Sequence, residues 1–166
     1  MAAVQPITDG TVAHIDTGVL HPGLKRLLEV RQTVGLRNPG HSVVKLMQPG
    51  VGTQIVVSSY THPEYFSMIC NTFATLQMQA VLTRGLEGEV VSDPRRTPQI
   101  HGFVNGEHTE LATQQPGTLS EVPGLPTEID AATTADYTRR VLAGDAPVPE
   151  SIARQVHHIT TIAARL

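Results

Sequence analysis

Positive charge is concentrated where this chain could do chemistry. Residues 21–50 hold Lys25, Arg26, Arg31, Arg37 and Lys45 against Glu29 alone, a net of +4. The chain as a whole carries a formal charge of -3. Residues 101–150 balance it with eight acids against Arg139 and Arg140, a net of -6. A basic stretch in an acidic chain marks an anion-binding face. A guanidinium grips phosphate or carboxylate through two parallel hydrogen bonds, and a lysine acts as a point charge. Arg84, Arg95 and Arg96 add three cations in segments rich in Gly and Pro, where binding residues concentrate. Contacts of this kind to phosphates give affinity that falls with salt and carries no base specificity. The competing reading is an ordinary charged surface, in which Lys25 pairs with Glu29 along a helix for little gain.

Other chemistries are poorly served. Cys70 is the only cysteine, so an internal disulfide and a thiolate zinc cluster are both excluded. Cys70 also lies in an apolar helical run with no basic sequence neighbour, which suits a core position better than a nucleophile. His157 and His158 are adjacent and lack the i, i+4 spacing of a helical metal site. Gly50-Val51-Gly52 precedes no convincing helix and reads as a turn. Glu87 and Glu89 read as a solvated loop. No G-x-S-x-G nucleophile elbow is present.

The elements that must position these residues follow from pattern. Residues 21–34 read as a helix, with Pro22 in its first turn, apolar Leu24, Leu27, Leu28 and Val34, and Gly35 at its end. Arg37-Asn38-Pro39-Gly40 is a loop. His41 to Gln48 fits a short helix or a strand equally. Gln54 to Ser59 reads as a buried strand from Ile55-Val56-Val57. Thr61 is placed to cap the next helix, with Pro63 and Glu64 in its first turn, and Phe66, Ile69, Phe73 and Leu76 form its apolar stripe. Ala80 to Thr83 is a second strand, so this region is a βαβ unit with a parallel pair and a right-handed crossover. Gln99 to Val104 and Glu107 to Ala112 flank Asn105-Gly106, a preferred pair for a tight hairpin turn. Residues 114–126 are irregular. A helix starts at Thr127-Glu128-Ile129-Asp130 and ends near Gly144. A last helix opens at Pro149 and Glu150, with Ile152, Val156, Ile159 and Ala163 as its stripe.

The chain has 166 residues, 40% of them hydrophobic and none of them Trp. That supports a domain of ordinary size with an aliphatic core. No apolar run approaches the roughly 20 residues of a membrane span, and Met1 to Gly10 lacks the basic start and apolar centre of a signal peptide. Cytoplasm is the expected compartment. A βαβ unit with one hairpin is a thin sheet, and a parallel sheet needs both faces covered. The isolated chain is therefore expected to self-associate or to need further sequence for stability.

Several segments together resemble the anthranilate phosphoribosyltransferases of glycosyltransferase family 3. They are His21-Pro22-Gly23-Leu24-Lys25 with Val30-Arg31 and Gly35-Leu36-Arg37, then Ser42-Val43-Val44-Lys45-Leu46-Met47-Gln48-Pro49. Val57-Ser58-Ser59-Tyr60-Thr61-His62-Pro63-Glu64-Tyr65, Leu82-Thr83-Arg84-Gly85-Leu86-Glu87-Gly88-Glu89 and Val141-Leu142-Ala143-Gly144-Asp145-Ala146-Pro147 continue the likeness. Arg37-Asn38-Pro39-Gly40-His41-Ser42, the stretch from Ser59 to Tyr65 and Asp93-Pro94-Arg95-Arg96-Thr97-Pro98 resemble the YbiB-type branch, whose members are described as binding DNA or other nucleic acid.

The resemblance implies an α/β fold, part of a nucleoside phosphorylase/phosphoribosyltransferase-type domain with flanking helices. Residues 1–20 would be a poorly defined N-terminal segment, 21–126 the later part of the α/β domain, and 127–166 returning C-terminal helices. In that family a glycine-rich loop upstream of the matching segment holds pyrophosphate, and adjacent Asp-Glu carboxylates hold Mg²⁺. Alignment on Gly85 and Gly88 puts Val90 and Val91 at the carboxylate pair, and valine cannot bind a cation. The family's acceptor-binding Arg corresponds to Arg37 or, from the Pro49 end, to His41. The resemblance thus implies a non-catalytic segment without a resident metal or cofactor. It would bind nucleic acid through Lys25, Arg31, Arg37, His41, Lys45, Arg84, Arg95 and Arg96. The alternative is a fragment of a phosphoribosyltransferase that would use Mg²⁺ and phosphoribosyl pyrophosphate, with its pyrophosphate-binding half missing.

Overall fold

The computed structural model describes residues 12–86 and 88–166. The chain is an α/β protein in two compact units, Met1–Gln54 and Ile55–Leu166. The division falls inside the segment 21–126.

The first unit is helical. Asp16 starts α1 (Thr17–Leu20) by accepting a hydrogen bond from the Gly18 N–H. This turn lies where the sequence suggested no element, because a four-residue helix has no periodicity to read. α2 (Pro22–Val34) has Pro22 in its first turn and ends on Gly35 in the left-handed region, φ 76°, as its sequence predicts. His21 caps it, its Nδ1 accepting from the Leu24 N–H at 3.0 Å. The segment left open between helix and strand is helical: α3 (Gly40–Val43) runs into a 3₁₀ turn over Val44–Leu46. Pro39 precedes α3 with φ already helical, which fixes that outcome. α2 buries none of its residues.

The second unit is built on a four-stranded sheet in the order β1-β2-β3-β4. β1 (Val56–Tyr60) and β2 (Ala80–Arg84) pair in parallel, with Val56 opposite Ala80 and Tyr60 opposite Arg84. α4 (Pro63–Thr75) connects them, which completes the expected βαβ unit. β3 (Ile100–Val104) and β4 (Glu107–Ala112) form the expected hairpin, antiparallel to each other and to β2. Asn105 and Gly106 take φ values of 50° and 78°, the left-handed pair of a tight hairpin turn.

Helices cover both faces of this sheet. Alternation places Leu82, His101 and Phe103 on one face with α4, where the Phe73 and Phe103 rings meet edge-on at 5.0 Å. Val81 and Ile100 point the other way, onto Ile162 of α6 (Glu150–Ala163). Phe73, Phe103, Leu82, Val81 and Ile100 are fully buried, and each such side chain contributes about 1.5–3 kcal/mol. Gly102 sits between the layers: a Cβ there would lie 2.7 Å from Leu111 Cδ1 and 2.8 Å from Ile162 Cδ1. Both faces of the sheet are covered, but much apolar surface stays outside. α5 (Ala131–Ala143) buries no residue, and Ile129 and Leu142 are 95% and 83% exposed.

Three details differ from the sequence reading. His62, and not Thr61, occupies the cap position of α4, without a side-chain cap bond, because Pro63 takes the first helical position. Leu76 lies past the end of α4 and is exposed, and Phe73 carries the burial. α6 follows its expected stripe only in part: Ile159 packs on the core and Ile152 is partly buried, but Ser151, Gln155 and Ile162 face inward and Val156 is exposed. The inward polar side chains meet backbone groups of the loop around Val90–Asp93. Among the described residues, no helix is long and apolar enough to cross a membrane.

Candidate functional site

The eight cationic positions divide between the units. Lys25, Arg31, Arg37, His41 and Lys45 belong to the first, and Arg84, Arg95 and Arg96 to the second.

In the first unit, Lys25, Arg31 and His41 line one open depression of about 410 Å³, together with Asp16 and Glu29. Lys25 is not free to meet a ligand. Its Nζ donates to both Asp16 carboxylate oxygens at 3.0 and 3.1 Å. The Asp16 partner corrects the expected pairing with Glu29. Asp16 is already fixed by capping α1, so it offers a preformed acceptor. The hydrogen bond to Lys25 pulls the Asp16 carboxyl below its usual range, and the same bond raises the Lys25 ammonium.

Asn38 builds the loop after α2. Its Nδ2 donates to the Leu27 carbonyl at 2.7 Å, and its Oδ1 accepts from the Gly40 N–H at 2.9 Å. The His41 ring turns back on this loop, with Nδ1 3.3 Å from the Asn38 nitrogen and 3.2 Å from the Asn38 carbonyl oxygen. Of the two positions matched to the acceptor-binding Arg, His41 is thus engaged internally, and Arg37 stands exposed. Arg26, Arg31 and Arg37 are exposed and take part in no ion pair among the described residues. Lys45 is exposed in the 3₁₀ turn.

In the second unit, Arg84 is exposed at the end of β2. Arg95 is committed: its Nε and Nη2 donate to the two Asp93 carboxylate oxygens at 3.0 and 2.9 Å, and its backbone N–H donates to Asp93 Oδ1 at 2.9 Å. That fork holds the Asp93 carboxyl below its usual range and leaves Arg95 little charge for a second anion. Arg96 is half-buried and in no ion pair among the described residues.

The residues that hold this arginine loop escaped the sequence reading. Gln155 of α6 accepts from the Ser92 N–H at 2.9 Å and donates to the Val90 carbonyl at 2.7 Å. Ser151, one turn earlier, donates to the Asp93 carbonyl at 2.7 Å. From the other side, the Leu119 and Gln115 N–H groups donate to the Arg95 and Thr97 carbonyls, both at 3.0 Å. Ser151 and Gln155 stand at i, i+4, but α6 also carries Glu150, Arg154, His157, His158, Thr160 and Thr161, so polarity alone did not single them out. Val90 and Val91 lie in the same loop and are partly exposed. Glu89 Oε1 accepts from the Leu86 N–H at 2.7 Å and closes the turn, and Glu87 lies outside the described residues.

No family profile matches the chain. It is similar to YbiB of Escherichia coli (strain K12), described as uncharacterized, at 36% identity over 140 residues. The chain is homologous to YbiB. The match covers 84% of this chain and 43% of YbiB, so the chain spans less than half of that relative's length.

Proposed function

We propose that the chain binds nucleic acid without sequence preference, through the cations of its helical unit. The observation that carries this reading is the set of Arg26, Arg31 and Arg37. They are exposed, close in sequence, on or just after α2, and in no ion pair among the described residues. Lys45 follows one turn beyond α3. Unit Met1–Gln54 contains no Phe, Tyr or Trp, the larger aromatic platforms on which bases stack. Its contacts are to phosphates, which position a duplex but do not read it. The YbiB-type resemblance supports the same reading. Val90 and Val91 at the positions of the family's metal carboxylates support a role without phosphoribosyl transfer, within a glycosyltransferase family 3 descent.

A second reading is the enzyme fragment, a piece of a phosphoribosyltransferase that would use Mg²⁺ and phosphoribosyl pyrophosphate. The parallel β1–α4–β2 unit favours it, because ligands of α/β sheets gather at strand C-termini, where Tyr60 and the Gly85 loop lie.

Fluorescence anisotropy with a labelled random-sequence duplex tests the first reading. Three phosphate contacts predict that affinity falls about 40-fold between 50 and 200 mM salt, from a slope near -0.9 per contact. Replacing Arg26, Arg31 or Arg37 by Ala should flatten that slope by about one contact each. Binding that ignores salt, or slopes unmoved by all three changes, overturns the proposal. Release of pyrophosphate from phosphoribosyl pyrophosphate by this chain would favour the second reading.

A further inference from the structure

The β3–β4 hairpin carries a pair of histidines that the functional reading does not use. His101 of β3 is 2% exposed. Its Nδ1 lies 3.0 Å from Nε2 of His108 on β4. Its other nitrogen, Nε2, is buried and has no hydrogen-bond partner among the described residues. Aromatic rings surround the pair. Phe66 of α4 lies 4.6 Å from the His101 ring, and the His108 ring stacks on Phe103 at 4.9 Å and 16°.

Proton bookkeeping constrains this arrangement. In the neutral pair, His101 Nδ1–H donates to His108 Nε2, which leaves His101 Nε2 as a bare lone pair. That is the cheaper tautomer, since the alternative buries an N–H without an acceptor. With the added proton on His108, the charge lies on an exposed ring stacked on the Phe103 face. His108 Nε2 must then become a donor. To keep the bond, His101 must accept at Nδ1, and its own proton must move to the buried Nε2. Protonation of His101 itself puts a proton on the same atom. Every charged state that keeps the bond therefore buries an unmatched N–H, and the escape is to separate the strands.

We propose that the His101–His108 pair is a proton-sensitive latch, closed when both rings are neutral and opening the β3–β4 hairpin on acidification. The charged and titratable groups around it do not offset this. Glu110 of β4 stands opposite His101 and favours its protonation, but Glu110 already accepts from Gln99 Nε2 at 2.9 Å. Burial raises the Tyr60 hydroxyl of β1 and the Cys70 thiol of α4, so both are neutral near pH 6. Burial, then the neighbouring His108, holds His101 below the usual imidazole value. An opened latch frees the edge of β3, Ile100–Val104.

Amide hydrogen exchange of the whole chain at pH 7.5 and 5.5, corrected for intrinsic rates, tests the proposal. The first pH lies above and the second below the ordinary imidazole value of about 6.5. Uptake of one proton on opening predicts protection that falls about tenfold per pH unit below that value. The loss should be confined to β3 and β4, with β1 and α4 retaining theirs. His101→Phe, which fits the same ring cluster, should remove the pH dependence. His101→Leu supplies a second test if that variant does not fold, since it also fills the apolar ring cluster and removes the buried titratable group. Unchanged hairpin protection at pH 5.5, a loss shared equally by β1 and α4, or the wild-type pH dependence in either variant would overturn the latch.

Discussion

Replacing Gln155 by Ala should destabilise the second unit by about 2–4 kcal/mol. Gln155 is buried, and its amide satisfies two backbone groups of the arginine loop at once, the Ser92 N–H at 2.9 Å and the Val90 carbonyl at 2.7 Å. Truncation removes both partners. A buried donor left unpaired costs roughly 1–3 kcal/mol, and Ser92 is buried. Val90 is partly exposed, so water recovers part of the bond to its carbonyl and the second loss is smaller. The cavity left by the side chain adds to the sum. For a chain of this size each kcal/mol moves Tm by about 2–4 °C, so thermal unfolding by circular dichroism should show a drop of about 5–15 °C. Gln155→Glu sharpens the test. Its carboxylate can still accept from Ser92, but it faces the Val90 carbonyl with no proton to donate. Protonation restores the donor, so the deficit of Gln155→Glu relative to wild type should shrink between pH 7 and pH 5. A Gln155→Ala variant within about 0.5 kcal/mol of wild type, the scale of an ordinary surface substitution, would refute the clamp.

Gly106→Ala should weaken the hairpin by more than the roughly 1 kcal/mol of a left-handed residue. Its Cβ would lie 2.8 Å from the Ala74 carbonyl oxygen, a backbone atom that cannot swing away, and urea denaturation measures the loss. Asp93 supplies an acid-labile contact. Arg95 lowers its carboxyl pKa in the folded state, so its stabilisation is full above the unfolded carboxylate value and is lost as pH falls through the folded one. In urea melts between pH 5 and pH 2, Asp93→Asn should be the less stable form at the upper end, and the gap should close toward the lower. The exposed apolar residues of α2, Leu27, Val30 and Val34, should drive self-association. Sedimentation velocity should show species larger than a monomer, reduced by Val30→Glu, and a strictly monomeric wild type would count against the expectation.

How far the sequence revealed this fold depended on whether a feature was local. The hairpin was legible because Asn105-Gly106 is nearly sufficient for the tight turn it forms. α2 was legible through Pro22 and Gly35, which act within their own turns. The orientation of α6 was not. Hydrophobicity put Val156 inside, whereas the helix turns Ser151 and Gln155 inward to meet backbone groups more than fifty residues away. The partner of Lys25 was misjudged for a related reason. Helical spacing offers Glu29, but Asp16 was fixed first by α1, an element too short to show a period. The His101–His108 pair was invisible in sequence, since it depends on the register across β3 and β4 and on a ring supplied by α4.

These corrections narrow the candidate interface. The sequence offered two sources of positive charge, the stretch from Lys25 to Lys45 and, with fewer cations, the Arg84–Arg96 region. In the second, Arg95 is bound to Asp93, and the loop is held by α6 on one side and residues 115–119 on the other. Such a loop is organised around its own contacts, and an incoming phosphate would have to break the Asp93 fork to reach Arg95. In the first, Lys25 and His41 are likewise engaged by Asp16 and Asn38, but Arg26, Arg31 and Arg37 meet no carboxylate among the described residues. A phosphate can approach these three without displacing an existing partner. The cost of binding there is only the ordering of exposed side chains, and the nucleic-acid reading rests on those three arginines far more than on the count of eight cationic positions.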